Sequence, residues 1–205
     1  MRPTLRITLM ALLAALSGAL GLVTPTIAGS RLLKFNGFPI VLSGFLLGPI
    51  GGFWCGALAD IVAFMLKPGG AYNPFFTVTS GLTGMMPVLL YQELAPRREG
   101  KLLLDPWMLL VSIGLAQVGI KVLLVSPMLA VWSGLPVKAL ALHATVEQVV
   151  HTPLYAYAVW VVVRRVVLRS RPESQASALP WVDELKQMPE LQFDPGISPT
   201  GSQEL

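Results

Sequence analysis

The chain has 205 residues, of which 54% are hydrophobic and 13% are charged, and its mean hydropathy is +0.65. Soluble domains carry about 25% charged residues, so this composition predicts an integral membrane protein rather than a soluble globule. A single cysteine excludes a disulfide-stabilised scaffold.

Charge is divided unevenly along the chain. Residues 1–170 contain 13 Lys and Arg against 5 Asp and Glu, a net charge of +8. Residues 171–205 contain 2 against 6, a net charge of −4. The basic residues lie in short loops between apolar segments, which indicates membrane topology rather than a nucleic-acid-binding face. We therefore expect the lipid bilayer, and no nucleic acid, as a partner.

Six apolar segments are candidates for transmembrane helices, which need roughly 20 residues to cross a bilayer. They cover residues 5–23, 37–47, 51–66, 74–94, 107–131 and 136–168. The 37–47 segment is too short to cross upright, so we expect it to be tilted, bent at Pro39 or shielded by neighbouring helices. The first segment is longer than a typical signal-peptide core, so we expect it to be retained.

The predicted fold is therefore an all-α integral membrane domain of six transmembrane helices over residues 1–169. Residues 170–205 are rich in Pro, Ser, Glu and Gln and predict a flexible, disordered tail. The positive-inside rule places both termini in the cytoplasm of a multi-pass protein of the cell membrane. The four outer basic residues would then favour an anionic ligand. These residues are Arg31, Lys34, Lys67 and Lys138.

Sequence motifs of several enzyme classes are absent from the chain, among them the P-loop, G-x-S-x-G and H-E-x-x-H. We therefore expect a protein that is not an enzyme and needs no cofactor. Energy for any transport would come from a partner protein or from an ion gradient.

Five ionisable side chains lie inside the predicted spans, where each costs at least ~2.5–3.5 kcal/mol. They are Asp60, Lys121, His143, Glu147 and His151. Lys121 and Glu147 are predicted at similar depth, so they either form a structural ion pair or line a ligand cavity. The spacing of His143, Glu147 and His151 predicts one helix face, which suits cavity lining better than a zinc site or a proton relay.

A loop over residues 67–77 combines flexible glycines with side chains that can stack on, or hydrogen-bond to, a flat ring. These side chains are Tyr72, Asn73, Phe75, Phe76 and Thr77. Trp132, at the end of the fifth span, lies on the same predicted side. The alternative interpretation is an aromatic belt at the membrane interface.

The first span carries small residues at four-residue intervals, Ala11, Ala15 and Ala19. Such a stripe lets two helix backbones approach closely in lipid. It either docks another membrane protein or packs against other helices of this chain, and the sequence leaves both alternatives open.

Four motifs follow one another between residues 35 and 77: F-N-G-F-P-I at 35–40, G-F-L-L-G-P at 44–49, G-A-L-A-D at 56–60 and P-G-G-A-Y-N-P-F-F-T at 68–77. In this order they resemble the substrate-binding S components of energy-coupling-factor (ECF) vitamin transporters, especially the folate-type branch. Cobalt and nickel members of that family have a His near residue 2, where this chain has Arg2, so the resemblance implies no metal substrate.

The resemblance implies that the chain is a high-affinity vitamin-binding subunit of an ATP-driven importer, for folate or a related heterocyclic, anionic vitamin. The implied substrate site consists of Lys34, Phe35, Tyr72, Asn73, Phe75, Phe76, Thr77, Lys121, Trp132, His143 and Glu147. The alanine stripe would dock a transmembrane coupling protein (EcfT-like), and two cytoplasmic ATPases would supply the energy. Two alternatives are a proton-coupled secondary transporter using Glu147 and an intramembrane enzyme using Asp60, His143 and Glu147.

Overall fold

Helices make up nearly all of the computed structural model, which describes residues 3–23, 35–67, 71–94, 97–98, 101–102 and 105–169. The predicted tail over residues 170–205 lies outside the described residues. The helices are α1 (Pro3–Val23), α2 (Gly37–Leu66), α3 (Pro74–Leu94), α4 (Pro106–Val118), α5 (Ser126–Ser133) and α6 (Val137–Arg169). A π-helical segment, Gly119–Val125, joins α4 to α5, and two short antiparallel strands, β1 (Arg97–Arg98) and β2 (Lys101–Leu102), lie between α3 and α4.

Helix α2 is a hairpin of two helical arms rather than one straight rod. Gly48 has φ 87° and ψ 172°, a backbone conformation essentially confined to glycine, and Pro49 follows it. A Cβ added to Gly52 would lie 2.7 Å from the Cα of Gly44, although residues eight apart in a straight helix are about 12 Å apart. The two arms therefore run antiparallel, and they correspond to the separately predicted segments 37–47 and 51–66.

The first arm of α2 lies in the centre of the bundle. Its residues Val41 and Phe45 are fully buried. They share one apolar core with Leu13 of α1, Tyr91 of α3 and Val159 of α6. Other helices surround this arm, so its side chains are buried in protein and its backbone hydrogen bonds are made within the helix. It can therefore lie in the bundle although it is too short to cross a bilayer upright.

Helix α3 packs against both arms of α2 at unusually short range. A Cβ on either Gly44 or Gly52 would overlap the carbonyl oxygen of Gly84. Three glycines at one crossing let the backbones meet directly, as small residues do between helices in membranes. This contact holds α2 and α3 in one arrangement and so positions the residues at their ends.

Among the described residues, three helical runs are long and apolar enough to cross a membrane by length and composition: Thr4–Leu22, Gly37–Leu66 and Pro106–Ser133. The third runs through α4, the π-helical segment and α5. The topology of six membrane spans stays a prediction. Asn36 and Lys67 flank the two ends of α2 and line one cavity, so both lie at the same end of the bundle. Arg6 marks the opposite end, where its Nη2 donates to the Leu47 carbonyl oxygen beside the hairpin turn at 3.0 Å.

Candidate functional site

A cavity of about 480 Å³, called the large cavity below, lies at the end of the bundle marked by Asn36 and Lys67. It is formed by α1, Asn36 just before α2, the second arm of α2, the start of α3, α5 and the chain around residue 72. Its lining consists of Gly18, Gly21, Leu22, Asn36, Asp60, Ala63, Phe64, Lys67, Ala71, Tyr72, Asn73, Phe76, Leu129 and Trp132. A volume of this size suits a small organic ligand.

Aromatic rings form two pairs in the wall of the large cavity. The ring centroids of Phe64 and Tyr72 are 5.2 Å apart, with their planes inclined by 62°. Those of Phe76 and Trp132 are 6.3 Å apart, with planes inclined by 47°. Tyr72 and Trp132 are both exposed in the described structure, so their faces are accessible to a flat ring that enters the cavity.

A chain of hydrogen bonds joins the loop to α3 and α2 beside these rings. The Thr77 hydroxyl donates to Asp60 Oδ2 at 2.7 Å, and the hydroxyl oxygens of Tyr72 and Thr77 are 2.6 Å apart. Because the single hydroxyl hydrogen of Thr77 goes to Asp60, Tyr72 is the donor to Thr77. Asp60 is thus held in place at the cavity wall, 17 residues away in sequence from its donor.

Asn73 begins α3 in the manner of a helix N-cap. Its Oδ1 accepts a hydrogen bond from the Phe75 backbone N–H at 3.0 Å, two residues on, and Pro74 follows it directly. The same residue lines the large cavity. The motif around residue 73 therefore both starts the helix and presents an amide group to the cavity.

The structure brings four of the predicted site residues together at the large cavity: Tyr72, Asn73, Phe76 and Trp132. Thr77 contributes through Asp60, as described above. Phe75 packs against Phe76, with ring centroids 6.2 Å apart, but does not line the cavity. Phe35 is exposed and also lies outside the cavity lining. Lys34 lies outside the described residues.

Two further predicted residues, Lys121 and Glu147, line a second cavity of about 60 Å³, called the small cavity. Its walls come from α2, α3, α4, the π-helical segment and α6. The full lining is Asn36, Gly37, Ile40, Ser80, Thr83, Gln117, Lys121, Glu147, Gln148, His151 and Tyr155. Lys121 and Glu147 therefore lie at the same level of the bundle, which is the arrangement that their predicted depths require.

The π-helical segment places Lys121 in this wall. Here the backbone N–H and the side-chain hydroxyl of Ser126 both donate to the Lys121 carbonyl oxygen, the hydroxyl at 2.8 Å. The extra residue per turn rotates α5 relative to α4. Such π-helical turns occur frequently at functional sites.

The structure separates the three residues predicted to share one face of α6. Glu147 and His151 are buried at the small cavity, whereas His143 is exposed and lines neither cavity. The Nδ1 of His151 lies 2.7 Å from the Glu147 carbonyl oxygen, so that nitrogen carries the hydrogen and donates it. Within the described segments, no three His, Cys, Asp or Glu side chains are grouped so as to hold a metal ion.

The small residues of α1 lie on its outer face. Ala11, Ala15 and Ala19 are all exposed, while Leu13 and Ala14 on the other side of the helix are buried in the core. In the described part of the chain, the stripe is therefore available to a partner and does not pack inside this fold.

Several cavity residues were not among those expected from the sequence. Phe64 makes an edge-to-face contact with Tyr72, and Gln117 and Gln148 line the small cavity. The argument that singled out Lys121 and Glu147, the cost of a polar group in an apolar span, applies also to glutamine. Gln117 precedes Lys121 by one helical turn, and Gln148 directly follows Glu147, so this signal was present in the sequence.

The chain is similar to known transport proteins. A family model described as "ECF transporter, substrate-specific component" matches residues 5–167. The folate transporter FolT of Clostridium novyi (strain NT) is 24% identical over 143 residues. That alignment covers 68% of this chain and 78% of the transporter.

Proposed function

The chain belongs to the family of ECF transporter substrate-specific components, and from that premise we propose that it is a high-affinity vitamin-binding subunit of an ECF-type importer. It is a membrane-embedded protein, in agreement with its long apolar helices. The observation that carries the proposal is the large cavity, in which aromatic rings and a few polar groups converge at one end of the bundle. Binding sites for small organic molecules have this composition.

The proposed ligand is folate or a related flat, anionic heterocycle. The rings of Tyr72, Phe76 and Trp132 offer faces on which such a heterocycle can stack. Lys67, also in the lining, offers a positive charge to an acidic group. The similarity to a folate transporter points in the same direction.

We propose that the cavity faces the cell exterior and that both termini are cytoplasmic. The basic residues of the sequence support this orientation. Arg6 lies at the end of the bundle opposite the cavity, and the positive-inside rule places this N-terminal basic region in the cytoplasm. A vitamin outside the cell would then reach the large cavity directly.

Energy for import would come from partners, a transmembrane coupling protein and two cytoplasmic ATPases. The exposed stripe of Ala11, Ala15 and Ala19 supports docking of the coupling protein, because it lets a second helix approach closely. The alternative of an intramembrane enzyme gains no support, because Asp60, His143 and Glu147 lie in three different places.

Thermal unfolding of the purified protein in detergent, with and without folic acid, tests the proposal. We expect folic acid to raise the unfolding temperature of the native chain and of Trp107→Ala, whose side chain is exposed at the opposite end of the bundle. We expect a much smaller rise for Trp132→Ala, which removes one aromatic wall of the cavity. An equal rise for both variants would place the ligand elsewhere, and uptake into liposomes without partners would favour a secondary transporter.

A further inference from the structure

The small cavity lies directly beneath the large one, deeper in the bundle. On α3, Phe76 lines the large cavity and Ser80, one turn further along, lines the small one. Asn36 lines both. One helical turn advances about 5.4 Å, so a group that fills the large cavity has the small one within reach.

Two buried amides in the small cavity have hydrogen-bonding atoms without a partner. Gln117 is 2% exposed and Gln148 is 3% exposed. Within the described part of the chain, Gln117 Nε2 and Gln148 Oε1 are buried and lack a hydrogen-bond partner. An unpaired buried polar group is costly, so two of them at one cavity indicate that a bound group completes their hydrogen bonds.

Gln117 Nε2 and Gln148 Oε1 require complementary hydrogen-bonding groups on the molecule that occupies the cavity. An amide nitrogen donates and an amide oxygen accepts, so the occupant must offer one acceptor and one donor. A cyclic amide, in which a ring N–H stands next to a ring C=O, offers both on a single edge. The cavity of about 60 Å³ has room for such an edge or for a few water molecules.

We propose that the small cavity is the specificity subsite of the vitamin site, and that Gln117 and Gln148 bind the cyclic-amide edge of a ligand whose ring body lies in the large cavity. This inference rests on the proposed function and narrows its substrate class to vitamins that carry a ring N–H beside a ring C=O. Folic acid, riboflavin and biotin carry this group, and thiamine and nicotinic acid do not.

A site built to hydrogen-bond a ligand group rejects a ligand that lacks it, because the buried amides are then left without water and without a partner. Replacing either glutamine by methionine keeps much of the side-chain volume and removes the polar atoms. Without ligand, we expect Gln117→Met and Gln148→Met to unfold at or above the native temperature, since each substitution removes one of the two unpaired buried amides.

The experiment measures the affinity of the purified full-length protein for these five vitamins by calorimetry or thermal shift. We expect binding of at least one cyclic-amide vitamin and no comparable binding of thiamine or nicotinic acid. For the vitamin that binds, we expect Gln117→Met and Gln148→Met each to weaken affinity about tenfold or more. The matched control Gln92→Met, on α3 outside both cavity linings, should bind as the native protein does.

The outcomes separate this inference from the proposed function. Folic acid binding that both glutamine variants retain at native strength overturns the subsite and leaves the vitamin-binding function standing. So does tight binding of thiamine or nicotinic acid by the native protein, a result that needs no variant to fold. Failure of all five vitamins to bind overturns both.

Discussion

The Thr77 hydroxyl of α3 donates a hydrogen bond of 2.7 Å to the Asp60 carboxylate of α2, at the wall of the large cavity. Through the Tyr72 hydroxyl, 2.6 Å from that of Thr77, the same bond also reaches the chain before α3. These hydrogen bonds to the Asp60 carboxylate therefore join three segments around the large cavity: α2, α3 and the chain just before α3. Asp60 is partly exposed, so its carboxylate joins these segments and also belongs to the lining of the proposed ligand site.

Replacing Thr77 by valine should weaken the connection between α2, α3 and the chain before α3 at the large cavity. Valine has the shape of threonine but no hydroxyl, so Asp60 loses its donor and Tyr72 its acceptor. We expect a loss of about 1 kcal/mol in stability and weaker ligand binding, measured by thermal unfolding and calorimetry in detergent. The control is Thr145→Val, since the exposed Thr145 hydroxyl donates only to the Ala141 carbonyl of its own helix. Equal effects of the two substitutions would show that the Thr77–Asp60 hydrogen bond contributes no more to stability or ligand affinity than an exposed hydrogen bond within one helix.

Replacing Gly52 by alanine should disrupt the crossing of α2 and α3. The added methyl group would overlap the Gly84 carbonyl oxygen and crowd the Gly44 Cα, both of which are backbone atoms that cannot rotate away. We expect destabilisation of about 2 kcal/mol or more, measured as a fall in unfolding temperature.

Gly119→Ala is the matched control for that substitution. Among the described residues, a Cβ at Gly119 would have no heavy atom within 4 Å other than those of its chain neighbours and local helix backbone. Alanine is the better helix former, so we expect no loss of stability, or a gain of up to about 1 kcal/mol. A native-like Gly52→Ala protein would contradict the direct backbone contact between the two helices.

The roles of Lys121 and Glu147 can be separated by a double-mutant cycle. If they form a buried ion pair, either Lys121→Met or Glu147→Gln alone leaves a charge without its partner. Each then costs somewhat less than the roughly 3–5 kcal/mol of a fully buried pair, because Lys121 is only partly buried. The double variant should recover much of that stability.

Ligand affinity, measured on the same variants, decides whether Lys121 and Glu147 form a structural ion pair or contact the ligand. Unchanged affinity together with reduced stability identifies a structural pair. Reduced affinity in Lys121→Met at native stability identifies a ligand contact in the small cavity. Strictly additive effects of the two substitutions on stability would contradict a pair.

Replacing Ala15 by tryptophan should block assembly with the proposed coupling protein while sparing ligand binding. Ala15 is exposed on the outer face of α1, so the large side chain meets lipid in the isolated subunit and a partner helix in the complex. Co-purification with the partner subunits and ligand titration of the isolated protein measure the two properties. Ala139→Trp, at an exposed alanine near the start of α6, is the control. Loss of ligand binding in Ala15→Trp would indicate that the stripe packs within this chain.

Most of the helical layout was predictable because hydropathy and turn residues act locally. Helix α3 begins and ends at the predicted residues, and the predicted gap between segments 37–47 and 51–66 is the turn of the α2 hairpin at Gly48. The strands β1 and β2 and the π-helical segment were not predicted. The strands are only two residues long, and the π-helical turn keeps an apolar composition that does not differ from an α-helix.

The candidate site was predictable only in part. The motif at residues 68–77 supplied Tyr72, Asn73 and Phe76, because aromatic and amide groups concentrate there within one short loop. Phe64 carries no comparable local pattern, and Gln148 is marked only by its polarity inside an apolar span. Their roles follow from what lies opposite them, Tyr72 in one case and the small cavity in the other.

Composition and charge were enough to establish a membrane protein, its helical segments and the residues too polar for lipid, because each of these depends on free energies of transfer that single side chains carry. Which polar residues meet was settled by packing. Thr77 reaches Asp60, and Gln117 shares a cavity with Gln148, since the close contact of α3 with α2 and the π-helical turn before α5 set how these helices are rotated. Rotation of one helix against another depends on contacts between residues far apart in the chain, and no local pattern records it.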